Sequence, residues 1–159
     1  MRTARIQIFV KSMSPNYGKE FESIIKKSIE QLGDTSIIRL HDQTTGFIGS
    51  SNICDFKAYR YPHEYLFECK SIHGNTFPYS NISDVQLKGM TEMSNINGVF
   101  PAVICWWVDH DVTKILPIQI INDEIKAGHK SIRYDSELGT IVPGKKKRVF
   151  FEYDFSKLL

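Results

Sequence analysis

Two hydrophobic periods divide the chain. Phe21, Ile24, Ile25, Ser28 and Leu32 recur three and four residues apart, which predicts an amphipathic helix. Ser14-Pro15-Asn16 supplies its start, with Ser14 or Asn16 as the cap and Pro15 in the first turn, and Gly33 supplies the stop. At about 100° per residue, Glu22 falls on the border of the apolar stripe beside Ile29 and can lean inward, whereas Lys19, Lys26, Lys27 and Glu30 face water.

A period of two takes over afterwards. Ile37–Leu40 reads as a short strand, residues 41–52 as a loop rich in Thr, Ser and Gly, and Cys54–Tyr59 and Tyr65–Lys70 as a hairpin joined by Arg60–Glu64. Along the second arm Leu66, Glu68 and Lys70 share one face, and Tyr65, Phe67 and Cys69 the other. Ser83-Asp84-Val85-Gln86 has the form of a capping box opening a helix to about Met93. Val99–Val108, the most apolar run, predicts a central strand buried on both faces. Asp109-His110-Asp111 turns into a partner strand, Val112–Ile118; Gln119–Ala127 is helical up to Gly128, and Val149–Phe155 is a last strand. The expected fold class is α/β, a mixed central β-sheet flanked by helices.

Bulk composition narrows the class. A chain of 159 residues is expected to form one domain, residues 1–159, and 42% apolar with 24% charged residues excludes a disordered or fibrous protein. Cys54, Cys69 and Cys105 are odd in number and lack CxxC spacing, so reduced, buried thiols are expected rather than a disulfide frame or a zinc site. No run approaches the roughly 18–20 apolar residues of a membrane span, and the N-terminus lacks a secretory pattern. The expectation is a cytoplasmic protein with no membrane partner.

Charge is uneven although the total is only +2. Residues 34–125 hold 6 basic and 11 acidic side chains, whereas 126–148 hold 7 and 2. An acidic middle with basic flanks suits a polyanion held beside a carboxylate cluster.

The chemistry-bearing pattern is Asp55, twelve intervening residues, then Glu68-Cys69-Lys70. In a hairpin Asp55 comes alongside Glu68, so two carboxylates converge on one hard divalent cation, with the Cys69 backbone carbonyl placed for a third ligand. Mg2+ prefers such oxygen ligands and keeps several waters, polarises a phosphoryl oxygen and acidifies a bound water. Lys70 shares the face of Glu68 because only residues two apart do so on a strand, and it can hold that water or offset charge on phosphate. The bland alternative is a solvated acid–lysine pair on a wet strand.

Asn16-x-Gly18-x-x-Phe21-Glu22, Asp55-Phe56, Phe67-Glu68-Cys69-Lys70, the stretch Gly74-Asn75-Thr76-Phe77-Pro78-Tyr79-Ser80-Asn81-Ile82, Gln86 and Gly98-Val99 together resemble RecU-type Holliday-junction resolvases of the PD-(D/E)xK nuclease superfamily. The similarity runs from about Asn16 to Lys130-Ser131-Ile132, and the stretch after Lys70 is its most specific element.

The resemblance implies a restriction-endonuclease-like core, Asp55 and Glu68 as metal ligands, Lys70 as the catalytic lysine, Glu22 reaching the metal directly or through water, and Gln86 supporting the site. It further implies dependence on Mg2+, with Mn2+ as a substitute and no small-molecule cofactor. The implied partners are four-way junction DNA and a second copy of the chain in a homodimer. Recombination and repair in a bacterial cell, or phage DNA processing in an infected one, would be the setting. RecU-type proteins insert a projecting stalk between the first helix and the aspartate; residues 34–54 leave room only for a much reduced one. Cys54 stands where a hydroxyl residue is common in the family. Other branched or linear DNA as the substrate, or a non-catalytic DNA-binding module, are the alternative readings.

The remaining candidates each have a structural reading. Glu22 can pair with Lys19 or Lys26 on the helix surface, and Gln86 can serve the capping box with Ser83. The run Lys145-Lys146-Lys147-Arg148 can be a solvated turn or a phosphate-neutralising patch, the latter favoured because each phosphate contact releases counterions; Lys11, Lys19, Lys26 and Lys27 could extend it. Asn75 and Thr76 follow the motif on the candidate DNA side, and His73 beside them can touch phosphate. Trp106 and Trp107 fit core or dimer surface better than a base-stacking platform.

Overall fold

The computed structural model describes residues 16–41 and 52–159. Ser14, Pro15 and Lys11, and positions 42–51 where a reduced stalk would fall, lie outside the described residues.

Helix α1 (Tyr17–Glu30) is capped by Asn16, whose side-chain oxygen accepts from Lys19 N at 3.2 Å. It buries Phe21, Ile25, Ser28 and Ile29. Three strands follow: β1 (Ser36–Arg39), β2 (Phe56–Arg60) and β3 (His63–Ile72), each antiparallel to the one before. The β2–β3 turn is tighter than expected, Tyr61-Pro62 alone separating the strands. After a short β4 (Thr76–Pro78), α2 (Asp84–Met93) opens on the predicted capping box.

β5 (Val99–Trp107) then pairs with β3 in parallel, the crossover running through α2. β6 (Val112–Pro117) returns antiparallel to β5 and leads into α3 (Ile118–Lys126). Four short strands complete the chain: β7 (Ser131–Arg133), β8 (Thr140–Ile141), β9 (Gly144–Lys146) and β10 (Phe151–Tyr153). β7 pairs with β4, β9 with β10, and β8 with β6. The main sheet has the order β1-β2-β3-β5-β6-β8 and is mixed, with three helices flanking it.

Alternation along the central strands sorts the core into two layers. Tyr65, Phe67, Cys69, Ala102, Ile104 and Trp106 pack against α1 and the C-terminal segment bearing Tyr153 and Phe155. Leu66, Val103, Cys105 and Trp107 pack on the opposite face against Met90 of α2 and Ile118 and Ile121 of α3. Both tryptophans are core residues, on opposite faces of β5. β5 is buried on both faces from Pro101 to Trp107, as is typical of a sheet covered by helices on each side, whereas Phe100 at its start is exposed. All three cysteines are free and buried. No helix of the described residues is long and apolar enough to cross a membrane.

Candidate active site

The site grows from the end of the β2–β3 ladder. Asp55 directly precedes β2, and its N–H donates to Phe67 O at 3.0 Å while its own carbonyl accepts from Leu40 N at 2.8 Å. Both neighbouring strands therefore fix its backbone. Two residues past Phe67 the partner strand has ended, and Cys69 N–H donates instead to Asp55 Oδ2 at 2.8 Å. In an antiparallel ladder a residue's N–H and C=O leave the same edge, so the Cys69 carbonyl is turned to the side on which Asp55 lies.

Glu68 and Lys70 occupy the opposite side-chain face from Cys69, the α2 face. Glu68 is only 3% exposed. Its Oε1 accepts from Lys70 Nζ at 2.8 Å and from Gln86 Nε2 at 2.7 Å, whereas its buried Oε2 has no hydrogen-bond partner. A buried carboxylate oxygen without a partner is costly. Burial, and next the charge of Asp55, push the Glu68 carboxyl up to about 7. Burial also raises Asp55, against the pull of the Cys69 N–H and Lys70. Two desolvated carboxylates this close repel one another, and a cation between them relieves both terms.

Gln86 makes two side-chain contacts, one for each of its candidate roles. Its Oε1 accepts from Ser83 N at 3.0 Å to complete the capping box, and its Nε2 reaches Glu68. Cys54, lining the same space, donates its thiol to Phe56 O at 3.4 Å, and burial raises that thiol to about 12. It is a neutral wall of the site.

Glu22 does not pair with Lys19 or Lys26. It forms an ion pair with Arg39, at the end of β1, while Lys26 pairs with Glu30. Burial and the nearby Asp55 raise the Glu22 carboxyl, and Arg39 opposes them. Arg39 also lines a polar cavity of about 150 Å3 with His41, Asn52, Asp55, Glu68 and Gln86. Sequence reading missed Arg39, because its approach to the carboxylates depends on the Arg39–Phe56 register of β1 against β2. The only local signal was an arginine closing a strand before the loop that leads to Asp55.

A metal fits the donor set without being fully caged. Among the described residues no group of three or more His, Cys, Asp or Glu side chains gathers as a ready metal site. Asp55, the unpartnered Glu68 Oε2 and the Cys69 carbonyl are hard oxygen donors, and Mg2+ retains waters for the rest of its shell.

The candidate DNA residues lie elsewhere. Lys145 and Lys147 line a separate groove with Ser28, Gln31 and Leu32 at the C-terminal end of α1. Lys146 forms an ion pair with Asp111, Lys147 Nζ lies 3.0 Å from Glu152, and Lys145 sits opposite Glu152 in register. Arg148 is exposed and forms no ion pair among the described residues. His73 Nδ1 is 2.8 Å from Asp109 Oδ1, Gly74 N donates to Asp109 Oδ2 at 2.6 Å, and Asn75 Oδ1 is 2.8 Å from His110 Nε2. These contacts fasten the loop after β3 to the loop after β5. Thr76 is exposed on β4.

No family model matches the chain, and no curated protein sequence matches it. Eighteen chains of solved structures do. One is Hjc, a Holliday junction resolvase from the archaeal hyperthermophile Archaeoglobus fulgidus, with a TM-score of 0.50 over 79% of this chain and 87% of that one. The chain has a restriction-endonuclease-like fold. At 14% identity the likeness bears on fold alone; the chemistry rests on the residues described above.

Proposed function

We propose that this chain is a Mg2+-dependent, structure-specific endonuclease that resolves four-way DNA junctions, of the RecU-like kind that its motifs resemble. The observation that carries the reading is Glu68: buried, with one oxygen held by Lys70 and Gln86 and the other unpartnered beside Asp55. Among the described residues it is the one carboxylate with a buried, unpartnered oxygen, and it lies against the charge of a second carboxylate.

Asp55, Glu68 and the Cys69 carbonyl would hold Mg2+ or Mn2+, which supplies Lewis acidity toward a phosphoryl oxygen and acidifies water. Gln86 keeps the Glu68 carboxylate in a single orientation, and the Cys69 N–H does the same for Asp55. Lys70, its ammonium beside Glu68, offsets negative charge that develops on the phosphodiester as the P–O bond breaks. Gln86 and Lys70 are thus fixed before the substrate arrives, which is what makes electrostatic catalysis effective.

Resolving a junction into two duplexes requires one nick in each of two equivalent strands. One chain carries one Asp55–Glu68–Lys70 site, so a C2 homodimer supplies the second with matching symmetry. Labelled junction, flap and linear duplex, each incubated with and without Mg2+, test the reading. Junction cleavage with Mg2+ alone supports it; preferential cutting of flap or duplex moves the substrate to another branched or linear DNA, and binding without cutting leaves a binding module.

A further inference from the structure

We propose that Arg39 is a phosphate-binding residue of the catalytic cavity, held off by Glu22 until a DNA strand arrives. This rests on the nuclease reading above and deepens it.

The placement carries the inference. The Arg39 side chain is 40% exposed, yet it lines the same small polar cavity as Asp55, Glu68 and Gln86. Its guanidinium sits 5.9 Å from the centre of the Phe56 ring, which braces it on one side. A strand phosphate entering this cavity meets Asp55 and Glu68, and Glu22 lies close by. Lys70 does not line this cavity. Among the described residues Arg39 is the one lysine or arginine that does, and its planar fork matches two phosphate oxygens in a way that an ammonium does not.

Glu22 is not among the residues lining the cavity; it holds Arg39 from the α1 side. An incoming phosphodiester can exchange for Glu22 on the same guanidinium, at the cost of leaving the largely buried Glu22 side chain, 16% exposed, without its ion-pair partner. The same exchange assigns Glu22 as a positioning residue that acts through Arg39, in place of direct metal ligation.

Binding of fluorescent junction DNA in EDTA, where no cutting occurs, provides the test. Arg39→Ala should weaken binding by about tenfold, the order of losing a charge-assisted hydrogen bond, and Arg39→Lys should recover only part of it. Glu22→Gln should tighten binding several-fold, and this gain should vanish in the Glu22→Gln/Arg39→Ala double variant. Circular dichroism of Arg39→Lys confirms that the fold is kept. Binding by Arg39→Ala and Arg39→Lys equal to the parent's, or tightening by Glu22→Gln that persists without Arg39, overturns the assignment. A parent protein that neither binds nor cuts DNA overturns the nuclease reading itself.

Discussion

Gln86 Nε2 lies 2.7 Å from Glu68 Oε1 while its Oε1 accepts from Ser83 N, so one amide both starts α2 and orients the buried carboxylate. Folding of the helix and geometry of the site are thereby the same event. Gln86→Ala should cost roughly 1 kcal/mol through the lost capping partner, lowering the thermal midpoint by about 2–4 °C. Cleavage should fall much further than stability. Gln86→Glu keeps an acceptor for Ser83 N but opposes Glu68 with a second carboxylate, which raises the Glu68 carboxyl further, so its cleavage optimum should move to higher pH. Melting curves and pH profiles of cleavage check both.

Asp55→Ala, Glu68→Ala and Lys70→Ala should each remove cleavage while leaving junction binding largely intact, because affinity comes from cations outside the carboxylate pair. For Lys70→Ala the loss should be on the order of 10²–10³-fold. Removing either carboxylate should leave binding unchanged or tighter, since it lowers repulsion of phosphate. Ca2+ should support binding without turnover. Gel-shift and cleavage assays on the same preparations separate the two effects; parallel loss of binding and folding in all three variants would count against the assignment.

The pH dependence of stability follows from Glu68. An unfolded glutamate ionises near 4.5, whereas burial and Asp55 raise the folded carboxyl to about 7. Between those values the folded chain holds a proton that the unfolded chain has lost, so stability falls as pH rises through the window. The contribution is at most on the order of 3–4 kcal/mol, at ~1.4 kcal/mol per unit. In EDTA the thermal midpoint should therefore drop between pH 5 and pH 8. Glu68→Gln should flatten that drop and be the more stable protein at pH 8. An unchanged slope in Glu68→Gln would show that the carboxyl is not desolvated as described.

Gly89 offers a test remote from the chemistry. A Cβ built there would lie 2.2 Å from Ile53 Cγ2 and 2.8 Å from Ile53 Cβ, on the segment leading to Cys54 and Asp55. Gly89→Ala gains about 1 kcal/mol of helix propensity but must push α2 away from Ile53, an overpacking cost of roughly 1–3 kcal/mol. Net destabilisation with reduced cleavage is expected, because Gln86 moves with the helix. Thermal melts and cleavage rates of the variant check it.

Much of this was legible along the chain because the signals were local. The period of two put Leu66, Glu68 and Lys70 on one face, and the capping box set the start of α2 to the residue. What escaped depended on pairing between distant segments. β4 and β7 are three-residue strands that exist because Phe77 and Ile132 meet across the register, and β9 exists because Gly144 lets Tyr153 approach closely. Half of the basic run expected in a turn is therefore strand, and two of its cations face Asp111 and Glu152. Glu22 found Arg39 through sheet register, a partner no helix spacing reveals.

The symmetry of the proposed reaction has its own consequence. Light scattering should show a dimer in solution, and a mixed dimer with one Lys70→Ala subunit should nick a single strand and release few duplex products. A monomer, both free and on junction DNA at cutting concentrations, would instead favour a flap or nicking nuclease.

The most direct measurement sets wild-type protein and Glu68→Gln side by side on an end-labelled four-way junction, with Mg2+ and with EDTA. Paired nicks on opposing strands near the branch point are expected for wild-type in Mg2+ and not in EDTA, and bound but intact junction for Glu68→Gln. Equal cleavage by both proteins, or an uncut junction with folded wild-type in Mg2+ and in Mn2+, would contradict it.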